Sequence, residues 1–235
     1  SLDKKQGSLR QAATNAIAKP TGKGLAAVKK AACKTAVSGR GNVGLVFDAT
    51  VSRSHVWEPA QRGFQQMFRS LHQKGAMQLR FMDFGCAGDV VDRPWTNDVE
   101  KLCADVAEVT CRGGVTQIND CLRRFVNGDD ELPDSIVYVG DHYEESEEDL
   151  NETIRIMRDN NIKVFTFLDS DDSHAEKMYR RLAEQTGGTF ARFGEDMPLE
   201  DLCEGVALLT VGGKSALSRL NNAAARQLLL AGPQQ

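Results

Sequence analysis

The sequence predicts an α/β protein of Rossmann-like, three-layer type. The expected architecture is a mostly parallel central sheet with one short antiparallel edge strand and helices on both faces. Three observations carry this expectation. Short apolar runs recur along the chain, and they are continuous rather than alternating, as strands buried on both faces are. Between them lie longer stretches with apolar residues at helical spacing. No period of 20–50 residues repeats, which sets aside solenoids and propellers.

Taken in order, the first strand spans 43–48 (VGLVFD), apolar until it stops at Asp48. Residues 56–74 predict a helix with Phe64, Met67, Phe68 and Leu71 on one face, ended by Gly75. MQLRFMDFG (77–85) is the second strand, and GDVVDRPW (88–95) holds a short third strand beside it. NDVEKLCADVAEVT (97–110) is a helix with Asn97 as its cap, and a glycine-bearing loop, CRGGVTQ, leads to a helix over 118–126. DSIVYVGD (134–141) is the next buried strand, followed by an acidic helix over 146–160. KVFTFLDS (163–170) and GTFARFG (188–194) are two further strands around a helix capped by Ser173, and 198–213 is the final core helix. Alternation of this kind folds into an open sheet covered on both sides. The domain is expected over 41–213, with a short helical or flexible tail over 214–235.

Residues 1–40 differ from the rest. They are Ala-rich and helix-prone, interrupted by Pro20, and carry nine Lys/Arg against the single acid Asp3. The arm's balance is +8 and the remainder's −12, within a net charge of −4. This opposition suggests self-association through the basic arm. Its cations are spread out with no aromatics between them, so nucleic acid is an unlikely partner. No apolar run is long enough to span a membrane, and the N-terminus lacks the apolar core of a signal peptide. The six cysteines (33, 86, 103, 111, 121, 203) form no C-x-x-C pair and read as reduced thiols of a cytoplasmic protein. A zinc site from Cys103, Cys111 and Cys121 has no support in their spacing.

The chemistry gathers at strand ends. Asp48 ends the first strand, and two hydroxyls follow on alternate positions, Thr50 and Ser52. In an open α/β sheet, ligands sit beyond the carboxyl ends of the strands, where the winding direction reverses. The first and fourth strands are the expected neighbours there. Thr116, after Gly113 and Gly114, and Asp141, directly after the fourth strand, arrive at the same crevice. Two carboxylates and three hydroxyls form an oxygen-only donor set that suits Mg²⁺, or another divalent cation such as Ca²⁺ or Mn²⁺.

These residues resemble the metal-ion-dependent adhesion site of the von Willebrand factor A (VWA) family. Its pattern is an Asp-x-Ser-x-Ser loop, a Thr in a second Gly-rich loop and an Asp after the fourth strand. Asp48, Thr50, Ser52, Thr116 and Asp141 match it in order, and the resemblance spans about 41–210. Thr50 departs from the usual Ser, which keeps the hydroxyl and adds a methyl. The resemblance is to intracellular, bacterial-type members. It implies binding rather than catalysis: a partner protein's acidic side chain completes the ion, often within a multi-protein assembly. His55, His142 and Arg53 are then expected at the rim, with Arg53 steering an acidic partner group. The run Glu144, Glu145, Glu147, Glu148 and Asp149 is expected to be a solvated helix start.

Two rivals stand beside this reading. A haloacid-dehalogenase-type phosphatase also places Asp, a residue two positions on, a hydroxyl and Gly-Asp at strand ends, with Mg²⁺ as cofactor. It needs a phosphate-neutralising lysine between the hydroxyl and Gly-Asp loops, yet no lysine occurs between Lys101 and Lys163, and Ser52 goes unexplained. A metal-free scaffold would use Asp48, Thr116 and Asp141 only as caps of turns and helices.

Overall fold

The structure, a computed structural model, describes residues 41–54, 57–58, 61–62, 64–65, 68–69, 77–85, 89–128, 130–194 and 196–232. The basic arm lies outside them, as do His55, Met67, Leu71, Cys33 and Cys86. Six strands, β1 (Gly41–Asp48), β2 (Met77–Phe84), β3 (Val90–Asp92), β4 (Ser135–Gly140), β5 (Lys163–Leu168) and β6 (Phe190–Arg192), form one sheet ordered β3-β2-β1-β4-β5-β6. All pairs are parallel except β2 with β3, the antiparallel edge. The expected α/β sandwich is therefore the observed one. Its winding reverses between β1 and β4, where Phe47 stands opposite Val139.

The helices are α1 (Val99–Glu108), α2 (Ile118–Asn127), α3 (Glu147–Asp159), α4 (Ser173–Thr186), α5 (Leu199–Ala216) and α6 (Ala223–Ala231). Strand periodicity divides the core in two. Val43, Leu45 and Phe47 of β1 face one layer with Val137, Val139, Phe165 and Phe167. There they meet Leu102 and Val106 of α1, the helical residues Phe64 and Phe68, and α5 and α6. Phe47 stacks on Phe64 with ring centroids 3.7 Å apart. On the opposite face Val46, Ile136, Tyr138 and Val164 pack on α2, α3 and α4 through Leu122, Phe125, Ile154, Met178 and Leu182. Each such buried side chain contributes about 1.5–3 kcal/mol of transfer free energy. Central strands flanked this way have no polar face, which is why their apolar runs are unbroken.

Two helix starts differ from expectation by one residue. Asp98, not Asn97, caps α1, its carboxylate accepting from the Lys101 amide at 3.1 Å. Asp172, not Ser173, caps α4, accepting from His174 and Ala175 at 2.8 and 3.1 Å. In both places two capping residue types are adjacent, and the carboxylate adds a favourable interaction with the helix dipole.

Beyond residue 213 the chain turns through Leu217–Arg219 into α6, and Leu217, Leu220, Ala225 and Leu229 are all buried. Leu229 packs so closely on Gly205 of α5 that a Cβ there would lie 2.2 Å from its Cδ1. Leu229→Ala is expected to cost about 2–4 kcal/mol, read as a lowered urea midpoint at unchanged slope. A change under about 0.5 kcal/mol would place α6 outside the cooperative core.

Candidate metal centre

Asp48 ends β1 fully buried, and Asp141 follows β4 with little exposure. Because Phe47 and Val139 are partners in the ladder, the two carboxylates emerge from adjacent strands at the same end of the sheet. Asp48 Oδ1 accepts the Thr50 amide at 2.8 Å, which curls the chain into the turn Val51–Arg53. That turn brings the Thr50 and Ser52 hydroxyls within 2.9 Å of each other. Asp48 Oδ2 and Asp141 Oδ1 are buried without a hydrogen bond. His142 Nδ1 lies 3.1 Å from Asp141 Oδ1, which makes an ion pair when the imidazole is protonated. Burial pulls the His142 pKa down, but Asp141 outweighs it and leaves it raised.

Thr116 joins from the second loop. Its hydroxyl accepts the Glu144 amide at 2.9 Å, and its own amide donates to Glu144 Oε2 at 3.1 Å. This reciprocal pair ties the second loop to the third. It also shows that Thr116 does not cap α2, whose first amides are met in trans: Ile118 and Asn119 donate to the Glu145 carboxylate at 2.5 and 3.0 Å. Burial raises the Glu145 pKa, against these bonds. Glu145, half-buried, is thus a structural tie rather than a solvated charge, and Glu144 ties the two loops while remaining exposed, whereas Glu147, Glu148 and Asp149 occupy the first turn of α3.

The first and second loops are joined as well. The Arg112 amide donates to Ala49 O at 2.8 Å, and Thr50 and Arg112 form an isolated parallel bridge. The Arg112 guanidinium reaches Asp83 Oδ2 at 2.7 Å, while Arg93 takes Oδ1 at 2.6 Å. Asp83 lies in β2 opposite Phe47 and is fully buried. A buried carboxylate held from both sides by guanidinium groups is a stiff anchor for the loop. The third loop has its own support. Gly140 leaves room for two phenols: a Cβ there would stand 2.4 Å from Tyr138 Oη. Tyr179 Oη lies 2.9 Å from Tyr138 Oη and 3.0 Å from His142 O, so Tyr138 donates to Tyr179, which donates to the loop carbonyl.

Arg53 is not at the rim. Its side chain is 1% exposed, and its Nη2 sits 3.4 Å from Asp169. Nε and Nη1 are buried without hydrogen bonds. A guanidinium beside the carboxylates offsets part of their charge, yet Asp48 still shows the cost of burial. Desolvation pushes its pKa from 3.8 to about 6, with the neighbouring Asp141 adding to the rise and the Thr50 bonds and Arg53 opposing it.

The donor set fits a hard divalent cation. A buried carboxylate oxygen without a hydrogen bond, Asp48 Oδ2, near a second buried carboxylate whose one close partner is the exposed His142, and next to hydroxyls, is what such an ion satisfies, and protein oxygens are its preferred ligands. Among the described residues no cluster of three or more His, Cys, Asp or Glu could hold a metal, so any site here depends on hydroxyls. Cys103, Cys111, Cys121 and Cys203 are free thiols. Sequence spacing names Asp48, Thr50, Ser52, Thr116 and Asp141 as the candidate ligands. It missed Asp83, Arg112, Glu144 and Glu145, of which only Asp83, an acid inside an apolar run, left a signal.

Neither a family model nor a curated protein matches the sequence. Solved structures do resemble the fold. A von Willebrand factor type A protein from Catenulispora acidiphila is 13% identical with a TM-score of 0.54, covering 74% of this chain and 43% of that one. The SpRpn10 VWA domain is 12% identical, TM-score 0.54, over 65% of this chain and 87% of that one. Proximal thread matrix protein 1 from the mussel byssus, with a zinc-occupied MIDAS motif, is 13% identical, TM-score 0.56, over 72% and 45%. This chain spans less than half the length of the first and third. Its fold is the von Willebrand factor A fold.

Two outcomes follow from the geometry. Asp48 ionises near pH 6 when folded and near 3.8 when exposed. Between those values the folded state holds the extra proton, so in chelator stability falls as pH rises. By neutral pH the ionised group costs on the order of 2–3 kcal/mol. Asp48→Asn is expected to raise the chelator melting temperature at pH 7.5 and flatten its pH dependence between 4 and 7. An unchanged slope would place the titration elsewhere. Asp83→Asn removes the carboxylate that Arg93 and Arg112 share, leaving them Asp105 and Asp89 alone, and is expected to cost about 1.5–3 kcal/mol by urea denaturation.

Proposed function

We propose that this chain is a divalent-cation-dependent protein-interaction module. Asp48, Thr50, Ser52, Thr116 and Asp141 hold the ion, Mg²⁺ or a related cation such as Mn²⁺ or Ca²⁺, and a carboxylate of a partner protein completes its shell. The observation that carries the reading is the buried, unbonded Oδ2 of Asp48, at a strand end next to the one that bears Asp141 and beside the Thr50–Ser52 hydroxyl pair. Ionised oxygens out of water without partners are costly, and a bound cation removes that cost. When bound, the cation supplies a fixed positive charge with an open coordination position, which an acidic side chain fills.

The surrounding residues support holding rather than turnover. His142 is engaged with Asp141, and Arg53 is sealed beneath the loop. Every contact around the loops stiffens them: Arg112 on Ala49, Glu144 on Thr116, Tyr179 on His142. A pre-ordered site loses little conformational entropy when a partner arrives. The zinc-occupied MIDAS of the mussel byssus protein supports the reading by likeness of fold. No helix among the described residues is long and apolar enough to cross a membrane. The free thiols support a reducing, cytoplasmic setting. The opposed charges of residues 1–40 and the remainder support self-association, which added salt would weaken.

The test is thermal melting against magnesium and manganese, paired with pull-down in and out of chelator. A cation at a hundredfold excess over its Kd is expected to raise the melting temperature by roughly 5–10 °C. Asp48→Ala and Asp141→Ala should each abolish that rise and the chelator-sensitive capture. A rise that survives both substitutions would move the cation to another site.

A further inference from the structure

Under the first loop of the metal centre lies a buried positive charge that the donor set does not use. Arg53 closes the turn after β1, and its side chain is 1% exposed. Nη2 reaches Asp169 at 3.4 Å, while Nε and Nη1 are buried without hydrogen bonds. A guanidinium taken out of water usually fills its donors, often in a bidentate pair with one carboxylate. This one does not, so its burial calls for a reason other than its own hydrogen bonds.

Strand order shows where the guanidinium has been drawn. Its loop follows β1 and Asp169 follows β5, with β4 between those two strands. Leu168 pairs with Gly140, and the Asp169 amide donates to Gly140 O at 3.0 Å. Asp169 therefore stands at the strand end next to the one that bears Asp141. Neighbouring strands are roughly 5 Å apart. To reach Asp169 from the loop after β1, Arg53 must cross the end of β4, beside the carboxylates that would hold an ion. It is tethered to Asp169 rather than pressed onto Asp48 Oδ2, which keeps no hydrogen bond. Burial raises the Asp48 pKa, and Arg53 is among the groups that oppose the rise.

We infer that Arg53 is a built-in counter-charge that sets how tightly the centre holds a cation and which ionic charge it disfavours. This rests on the metal-centre reading above and adds a residue outside the donor set that governs the ion. Affinity at oxygen sites follows the charge count around the ion. Here three carboxylates, those of Asp48, Asp141 and Asp169, are set against one guanidinium. A bound ion and the guanidinium are two positive charges in a water-poor space, and their repulsion grows in proportion to the ion's charge. Arg53 therefore weakens a divalent ion and weakens a trivalent one more. An arginine that only shaped the loop would act in the opposite sense, since removing it would loosen loop and ion together.

The test is calorimetric titration of the full chain with Mn²⁺ and with Tb³⁺. Arg53→Met keeps the apolar stem and removes the charge. It is expected to bind Mn²⁺ about tenfold more tightly than the parent and Tb³⁺ about thirtyfold, as repulsion proportional to charge requires. Arg53→Lys retains the charge and should keep the parent's ratio of the two affinities. Should Arg53→Met not fold, Asp169→Asn gives the reading: it frees the guanidinium to face Asp48 and Asp141, and Mn²⁺ should bind more weakly. Mn²⁺ binding by Arg53→Met that is unchanged or weaker, an equal gain for both ions, or undiminished binding by Asp169→Asn overturns the inference. If Asp48→Ala abolishes binding while Arg53→Met does not tighten it, this inference alone falls. If the parent binds neither ion, or binds both no better than Asp48→Ala does, the metal-centre reading falls and takes this one with it.

Discussion

A single buried charge sets the terms for this molecule. Asp48 ends the central strand of a sheet covered on both faces, and it has no exposure to water. A carboxylate in that position is costly unless hydrogen bonds, a counter-charge or a proton meets it. The chain uses a little of each: the Thr50 amide on one oxygen, Arg53 in the vicinity, and a pKa moved up to about 6. None of these satisfies Oδ2. The remaining need, set beside a second buried carboxylate, that of Asp141, and a pair of hydroxyls, is what makes the site chemically legible.

The surroundings show how such a site is kept from collapsing. Left to themselves, flexible loops would rotate the carboxylates toward solvent. Here each loop is fastened to another by backbone bonds, and each fastening is backed by a buried side chain. Asp83 backs the second loop through Arg112, and the Tyr138–Tyr179 pair backs the third through the His142 carbonyl. Asp83 and Tyr138 are strand residues and Tyr179 comes from α4, so the rigidity of both the ladder and the helix packed on it is passed to the loops.

The fold was readable because its strongest signal is local. Strands buried on both sides must be apolar nearly throughout, as VGLVF, IVYVG and VFTFL are. The metal-centre residues were readable for a related reason: Asp48, Thr50 and Ser52 lie within five positions, and Asp141 directly follows a strand. What stayed hidden depends on pairings between distant residues. Arg53 looked like a rim cation because nothing local says that Asp169, more than a hundred positions later, draws it inside. Glu145 looked like one more solvated acid, though it closes a helix that begins 27 residues earlier. The caps at Asp98 and Asp172 were missed by one residue because each has a neighbour of equal intrinsic preference, and only the backbone dihedrals choose between them.

The order of the strands has a further consequence for how the protein comes into being. β1 lies in the middle of the sheet, yet among the described strands it is the first made. One neighbour, β2, follows within about forty residues, but the other, β4, is complete only at residue 140. During synthesis on the ribosome, one edge of this central strand therefore waits with open amides and carbonyls while roughly ninety residues are added. Topologies that close over such distances fold slowly and leave sticky edges in the interval. A release of synthesis before residue 140 would yield a product without a complete β4, without β5 and β6, and without Asp141.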